Sequence, residues 1–145
     1  MVDEEFHRKF IDLTEYDYPI KNPIDIYVRE KETNKDIKLA CYRYPVPDHI
    51  ETKGVVYYSQ GYIQYTGREA FVARAFAENG YEYIGFDQRG TGYSEGRRFH
   101  MESLDQLVSD TIIATDALDK YLDLKVPRFG MGFCIGAPVT AISHV

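Results

Sequence analysis

The spacing of apolar and polar positions changes several times along the chain. Residues 1–23 are polar and rich in Tyr with no clean period, which predicts an N-terminal arm. Residues 24–28 and 37–44 alternate apolar and polar, and a charged stretch at 30–36 joins them. That is the pattern of a β-hairpin. Pro45 and Pro47 end it. Val55-Val56-Tyr57-Tyr58-Ser59 is then a continuous apolar and aromatic run, expected of a strand covered on both faces of a parallel sheet. Phe71, Val72, Ala75 and Phe76 recur at helical spacing within residues 68–79, and Asn79-Gly80 supplies a C-terminal stop. Residues 81–86 read as the next strand, and a Gly-rich loop follows at 87–96. Leu104, Leu107, Val108, Ile112, Ala114, Ala117 and Leu118 mark an amphipathic helix to about Leu122. Residues 126–131 predict a fifth strand, 132–136 a tight turn, and a helix starts at about Ala137.

This order predicts an α/β fold in which an antiparallel hairpin leads into a mostly parallel sheet with helices on both faces. With 145 residues and 44% hydrophobic side chains, one domain with a real core is expected. A net charge of −6 without any basic run argues against a nucleic-acid partner. No apolar run approaches the roughly 20 residues of a membrane span. The opening Met1-Val2-Asp3-Glu4-Glu5-Phe6 is acidic where a secretory leader is basic and then apolar. Two cysteines, Cys41 and Cys134, make no disulfide framework. The expectation is a cytoplasmic protein with Cys41 packed in its core. His7, His49 and His100 lack metal-ligand spacing, so they suggest no metal site, and no motif implies a cofactor.

The chemistry concentrates near the end. Gly132-Phe133-Cys134-Ile135-Gly136, between a predicted strand and a predicted helix, has the G-x-nucleophile-x-G spacing of a nucleophile elbow, with Cys where Ser is usual. Small residues two before and two after the nucleophile let the backbone pack closely around a strained turn. The helix behind the turn offers backbone N–H groups to a developing oxyanion. Ser59-Gln60-Gly61-Tyr62 follows the first buried strand, where a second oxyanion donor is expected. The loop Asp87-Gln88-Arg89-Gly90-Thr91-Gly92-Tyr93-Ser94 follows the next strand; Asp87 is expected to brace it and Arg89 to pair with an acid. A dinucleotide-binding reading of residues 130–136 fails. It needs Gly at 135, where Ile stands, and an acid about 20 residues further on.

Together Gln60-Gly61, Thr66-Gly67-Arg68, residues 87–96, Asp110 and the elbow resemble an α/β-hydrolase of the monoacylglycerol lipase / serine aminopeptidase S33 type. The resemblance runs from about Gly54 to the C-terminus and implies acyl transfer from a small ester, acylglycerol or peptide to water. It places Cys134 at the nucleophile position, the N–H groups of Tyr62 and Ile135 at the oxyanion positions, Gly132 and Gly136 as elbow glycines, and Asp87, Arg89, Gly90, Gly92 and Ser94 in a structural loop. Two departures stand out. Gln60 and Cys134 replace the usual His and Ser. Moreover, the acid and His that follow the nucleophile in this fold have no counterpart in the 11 residues after Cys134: His144, the only downstream His, lies about 15 Å along the same helix. Residues 24–145 therefore resemble the N-terminal half of such a domain, without lid or last strands. The alternative is a relative that binds without catalysing. An open sheet edge would invite self-association.

Overall fold

The computed structural model describes residues 24–30, 34–122 and 125–143, so the predicted arm at 1–23 and His144 lie outside the described residues. The hairpin is β1 (Ile24–Arg29) and β2 (Asp36–Tyr44). Then come β3 (Gly54–Ser59), a 3-10 turn (Thr66–Glu69), α1 (Ala70–Glu78), β4 (Tyr81–Phe86), α2 (Leu104–Asp119), β5 (Arg128–Gly132) and α3 (Gly136–Ser143). The five strands form one mixed sheet in the order β1-β2-β4-β3-β5. β1 pairs with β2 and β2 with β4 antiparallel, whereas β3 runs parallel to both β4 and β5. This is the α/β architecture the alternation and the buried run predict.

β3 shows why the two-faced apolar run was needed. Val55 and Tyr57 face the layer that holds Leu39, Ile84, Ala114 and Leu118, so α2 covers that side. Val56 and Tyr58 face Ala40, Tyr83, Ala70 and Ala73, so α1 covers the other. Alanines at 70 and 73 bring α1 close to the sheet beneath a stack of aromatic rings. α1 stops where Gly80 takes φ +90°, and a Cβ there would lie 2.8 Å from the Glu51 carbonyl. The stop sets the start of β4, and with it where β3 and β4 deliver their loops.

Three expectations need correction. The predicted apolar stripe of α2 included Ile112, yet Ile112 is 40% exposed while Asp110 and Thr111 are buried. The helix turns its Asp110 inward to meet Arg89, which rotates Ile112 outward. α2 also ends at Asp119 rather than near Leu122; Tyr121 and Leu122 close i→i+3 turns onto the carbonyls of Leu118 and Asp119. β5 begins at Arg128 rather than 126: Pro127 has no N–H to give, although its carbonyl accepts from Val55. β5 holds the outer position in the sheet, bonded to β3 alone among the described strands, with Phe129 half exposed. No helix among the described residues is long and apolar enough to cross a membrane.

The Tyr83 ring is fully buried, stacked on Tyr58 at 5.5 Å and edge-on to Tyr44 at 5.9 Å. Its hydroxyl has no hydrogen-bond partner among the described residues. Burying an unpartnered hydroxyl costs about 1–3 kcal/mol, and the ring contacts do not need it. Tyr83→Phe is therefore expected to raise the unfolding free energy in urea by about 1 kcal/mol. A variant less stable than the parent would contradict this.

Candidate active site

The elbow is built by close approach of backbones. β5 delivers Gly132, and the Phe133 N–H donates to the Ser59 carbonyl at 3.1 Å, carrying the pairing with β3 one residue further. The chain then reverses: the Gly136 N–H donates to the Phe133 carbonyl at 2.8 Å and the Ala137 N–H to the Cys134 carbonyl at 3.0 Å. At the apex Cys134 has φ +53° and its side chain is exposed. A non-Gly residue in the left-handed region stores about 1–3 kcal/mol of strain, which persists only where its surroundings over-determine it. The surroundings here are tight. A Cβ on Gly132 would lie 2.3 Å from the Gly136 carbonyl oxygen, and one on Gly136 would lie 2.1 Å from that of Ser59. Neither position admits any other residue without moving the strand or the helix.

The second loop sits against the first. Gly61 to Gln64 is a four-residue turn, with the Gln64 N–H donating to the Gly61 carbonyl at 3.3 Å. Its third residue, Ile63, has φ +60°, a region usually left to Gly at that turn position. Phe133 leans on the turn, since a Cβ on Gly61 would lie 2.8 Å from its ring. Among the described residues, no backbone hydrogen bond engages the N–H of Tyr62 or of Ile135. Two strained turns thus meet at the carboxyl ends of β3 and β5, each with an uncommitted donor. The rim around them is apolar and exposed: Tyr62, Ile63, Phe99 and Phe133. His100 lines a small cleft with Tyr62 and Thr91, whereas His49 is exposed in the turn after β2.

The loop at 87–96 holds this arrangement from behind. Asp87 is fully buried; its Oδ1 accepts from the Thr66 N–H at 2.7 Å, and its Oδ2 from the Tyr42 hydroxyl at 2.6 Å and the Tyr93 N–H at 2.9 Å. Gly92, at φ +49°, is the residue that permits this, since a Cβ would overlap that carboxylate at 1.9 Å. At Gly90, φ +69°, a Cβ would lie 2.1 Å from the Arg97 carbonyl oxygen. The Ser94 hydroxyl donates to the Asp87 carbonyl and accepts from the Ala40 N–H, fastening the loop to β2. Arg89, largely covered, forms a two-point ion pair with the buried Asp110, which fastens it to α2. Burial pushes the Asp87 carboxyl above its ordinary range, against the pull of the Tyr42, Tyr93 and Thr66 donors. Burial acts likewise on Asp110, opposed by Arg89. An acid whose native pKa is raised binds protons more tightly folded than unfolded. Both groups therefore cost stability as pH rises through the ordinary carboxylate range and above it.

The fold thus brings Cys134, Tyr62, Ile135, Gly132 and Gly136 together at one end of the sheet, and sets Asp87, Arg89, Gly90, Gly92 and Ser94 behind them. Among the described residues, no hydrogen bond joins the Cys134 Sγ to an imidazole or a carboxylate, and no group of three His, Cys, Asp or Glu could hold a metal ion. Sequence reasoning named Thr66 and Thr91 only as motif residues, without their bonds to Asp87 and Gln60, and missed the site role of Tyr42. Each is a long-range hydrogen-bond partner with no periodicity to betray it. Cys41 is fully buried in the sheet, where burial pushes its thiol well up.

A family model described as "Serine aminopeptidase, S33" matches residues 50–144. A monoacylglycerol lipase of Mycolicibacterium smegmatis is 33% identical over 95 residues, covering 64% of this chain and 32% of that protein. Among solved structures, a monoglyceride lipase of Saccharomyces cerevisiae in complex with a substrate analogue aligns with TM-score 0.61 at 22% identity, over 86% of this chain and 40% of that one. Est1E of Butyrivibrio proteoclasticus, bound to ferulic acid, aligns with TM-score 0.62 at 21% identity, over 81% and 46%. The chain spans about a third of the length of the lipase it matches in sequence, and under half of these two structures.

Breaking a buried ion pair leaves an uncompensated charge, whereas replacing both partners does not. Arg89→Met is expected to cost about 3–5 kcal/mol. Arg89→Met with Asp110→Leu is expected to recover most of that loss. Chemical denaturation of the two variants checks this; a double variant no more stable than the single one would contradict it.

Proposed function

Since the chain belongs to the serine aminopeptidase S33 family of α/β-hydrolases, we propose that it carries the nucleophile and oxyanion half of a carboxylic ester hydrolase. Cys134 is the nucleophile in this reading. The observation that carries it is the φ of +53° at Cys134 between two glycines whose Cβ positions are occupied by backbone. A packed structural cysteine has no need of such a conformation. The thiolate Sγ attacks the carbonyl carbon, the C=O electron pair moves to oxygen, and the N–H groups of Tyr62 and Ile135 receive the oxyanion. Collapse expels the alcohol and leaves a thioester, which water hydrolyses to acid and free thiol. A base must take the thiol proton, give it to the departing alkoxide and later activate that water. We place this imidazole and its acid outside the described residues.

The substrate class follows from the rim. Tyr62, Ile63, Phe99 and Phe133 offer apolar surface beside the nucleophile, which suits an ester with an apolar acyl chain such as an acylglycerol. The name of the mycobacterial relative supports the same class. The absence of an imidazole bonded to Sγ among the described residues, together with Cys in the place of Ser, favours a second reading. In that reading the pocket binds an ester without turning it over.

A series at position 134 separates the two. Assayed on a short-chain p-nitrophenyl ester in a version of the protein that includes the base and its acid, Cys134→Ala is expected to abolish hydrolysis and Cys134→Ser to raise it. Equal hydrolysis by parent and both variants would remove Cys134 from the reaction. No hydrolysis by any of them, with ester binding retained, would establish the binding-only reading.

A further inference from the structure

Gln60 stands where the S33 resemblance has His, and its side chain is fully buried. A single nitrogen makes two donations: Nε2 donates to the Gln64 carbonyl at 2.7 Å and to the Thr91 hydroxyl at 2.9 Å. The first bond closes the turn that carries the Tyr62 N–H. The second ties that turn to the loop at 87–96, whose Thr91 hydroxyl donates onward to the Gln88 carbonyl. The Gln60 Oε1 lies 3.3 Å from the Thr66 hydroxyl, which gives its shorter bond to the Phe86 carbonyl. The backbone carbonyl of Gln60 accepts from the Gln88 Nε2 at 3.2 Å. On its other side the same carbonyl meets the elbow helix, where a Cβ on Gly136 would lie 2.6 Å from it. The strained turn, the rear loop and the elbow thus converge on one residue.

We propose that the Gln60 carboxamide is the positioning residue of the oxyanion site, fixing the Tyr62 N–H relative to Cys134. It rests on the reading of Tyr62 as an oxyanion donor. Gln60 itself touches no substrate. The carboxamide suits this task because one nitrogen carries two N–H groups diverging toward two acceptors. A neutral imidazole donates once. With His at 60 either the turn or the loop loses its bond, and Ile63, strained at φ +60°, is free to relax.

Two reactions of the full chain at Cys134 test this. Alkylation by iodoacetamide reads the reactivity of the thiol and forms no oxyanion. Acylation by p-nitrophenyl acetate needs both. Their rate ratio at one pH therefore isolates the oxyanion site. Gln60→Met, an apolar side chain of similar length, is expected to lower the ratio about tenfold to hundredfold, with alkylation unchanged. Gln60→His, which keeps one donation, is expected to fall between Gln60→Met and the parent. A Gln60→Met variant with native circular dichroism and the parent's ratio overturns the proposal. If Gln60→Met does not fold, a Gln60→His variant with the parent's ratio overturns it. Should the parent itself acylate no faster than a free thiol, the reading of the site as an oxyanion hole has failed. Hydrogen exchange of the Gln64 amide then decides on Gln60 alone: faster exchange in Gln60→His supports the clamp, and an unchanged rate overturns it.

Discussion

The contact between Gly136 and the carbonyls of Ser59 and Gln60 governs the rest of the site. The first turn of α3 lies directly on the end of β3, with no room for a Cβ between them. That approach fixes how β5 must end, and it forces the reversal into five residues. The reversal in turn puts Cys134 into the left-handed region and out toward solvent. Burial of β3 on both faces keeps its end stationary, so the strain has a rigid support. The hydrophobic layers thus hold a backbone arrangement that local preferences oppose.

The polar network behind the two turns is the second level of the same design. Asp87 reaches Thr66 at the start of the 3-10 turn, Tyr42 on β2 and Tyr93 in its own loop, and so links three chain segments through one buried carboxylate. Arg89 extends the link to α2 through Asp110. Each tie is long in sequence and short in space. The rim residues Tyr62, Ile63, Phe99 and Phe133 stay exposed in front of this network. Under the proposed function, rigidity behind Cys134 and open apolar surface in front of it would suit acyl transfer from a hydrophobic ester.

Much of this was legible in the residues. Alternation marked β1 and β2, the unbroken run marked β3, and Asn79-Gly80 marked the end of α1. The elbow and the loop at 87–96 were readable because glycine spacing records where the chain must pass close to its neighbours: backbone meets backbone at Gly90, Gly132 and Gly136, and Gly92 makes room for the Asp87 carboxylate. The face of α2 was misjudged at Ile112 because periodicity counts apolar side chains and has no means of seeing that Asp110 would be drawn inward by Arg89. The bonds from Gln60 to Gln64 and Thr91, and from Tyr42 to Asp87, were invisible for a related reason. Such partners are set by tertiary geometry, and a single sequence carries no pattern for them. Ile63 gave no sign of its positive φ, because a β-branched residue is the last expected there.

The central claim is that folding gives Cys134 an oxyanion site, which an exposed thiol alone lacks. The most direct measurement is the ratio of acylation by p-nitrophenyl acetate to alkylation by iodoacetamide, read at Cys134 by peptide mapping, in the folded chain and in the same chain unfolded in urea. The structure predicts a ratio at least about tenfold higher in the folded chain. Equal ratios in the two states would contradict it, leaving Cys134 as an exposed thiol on a strained turn.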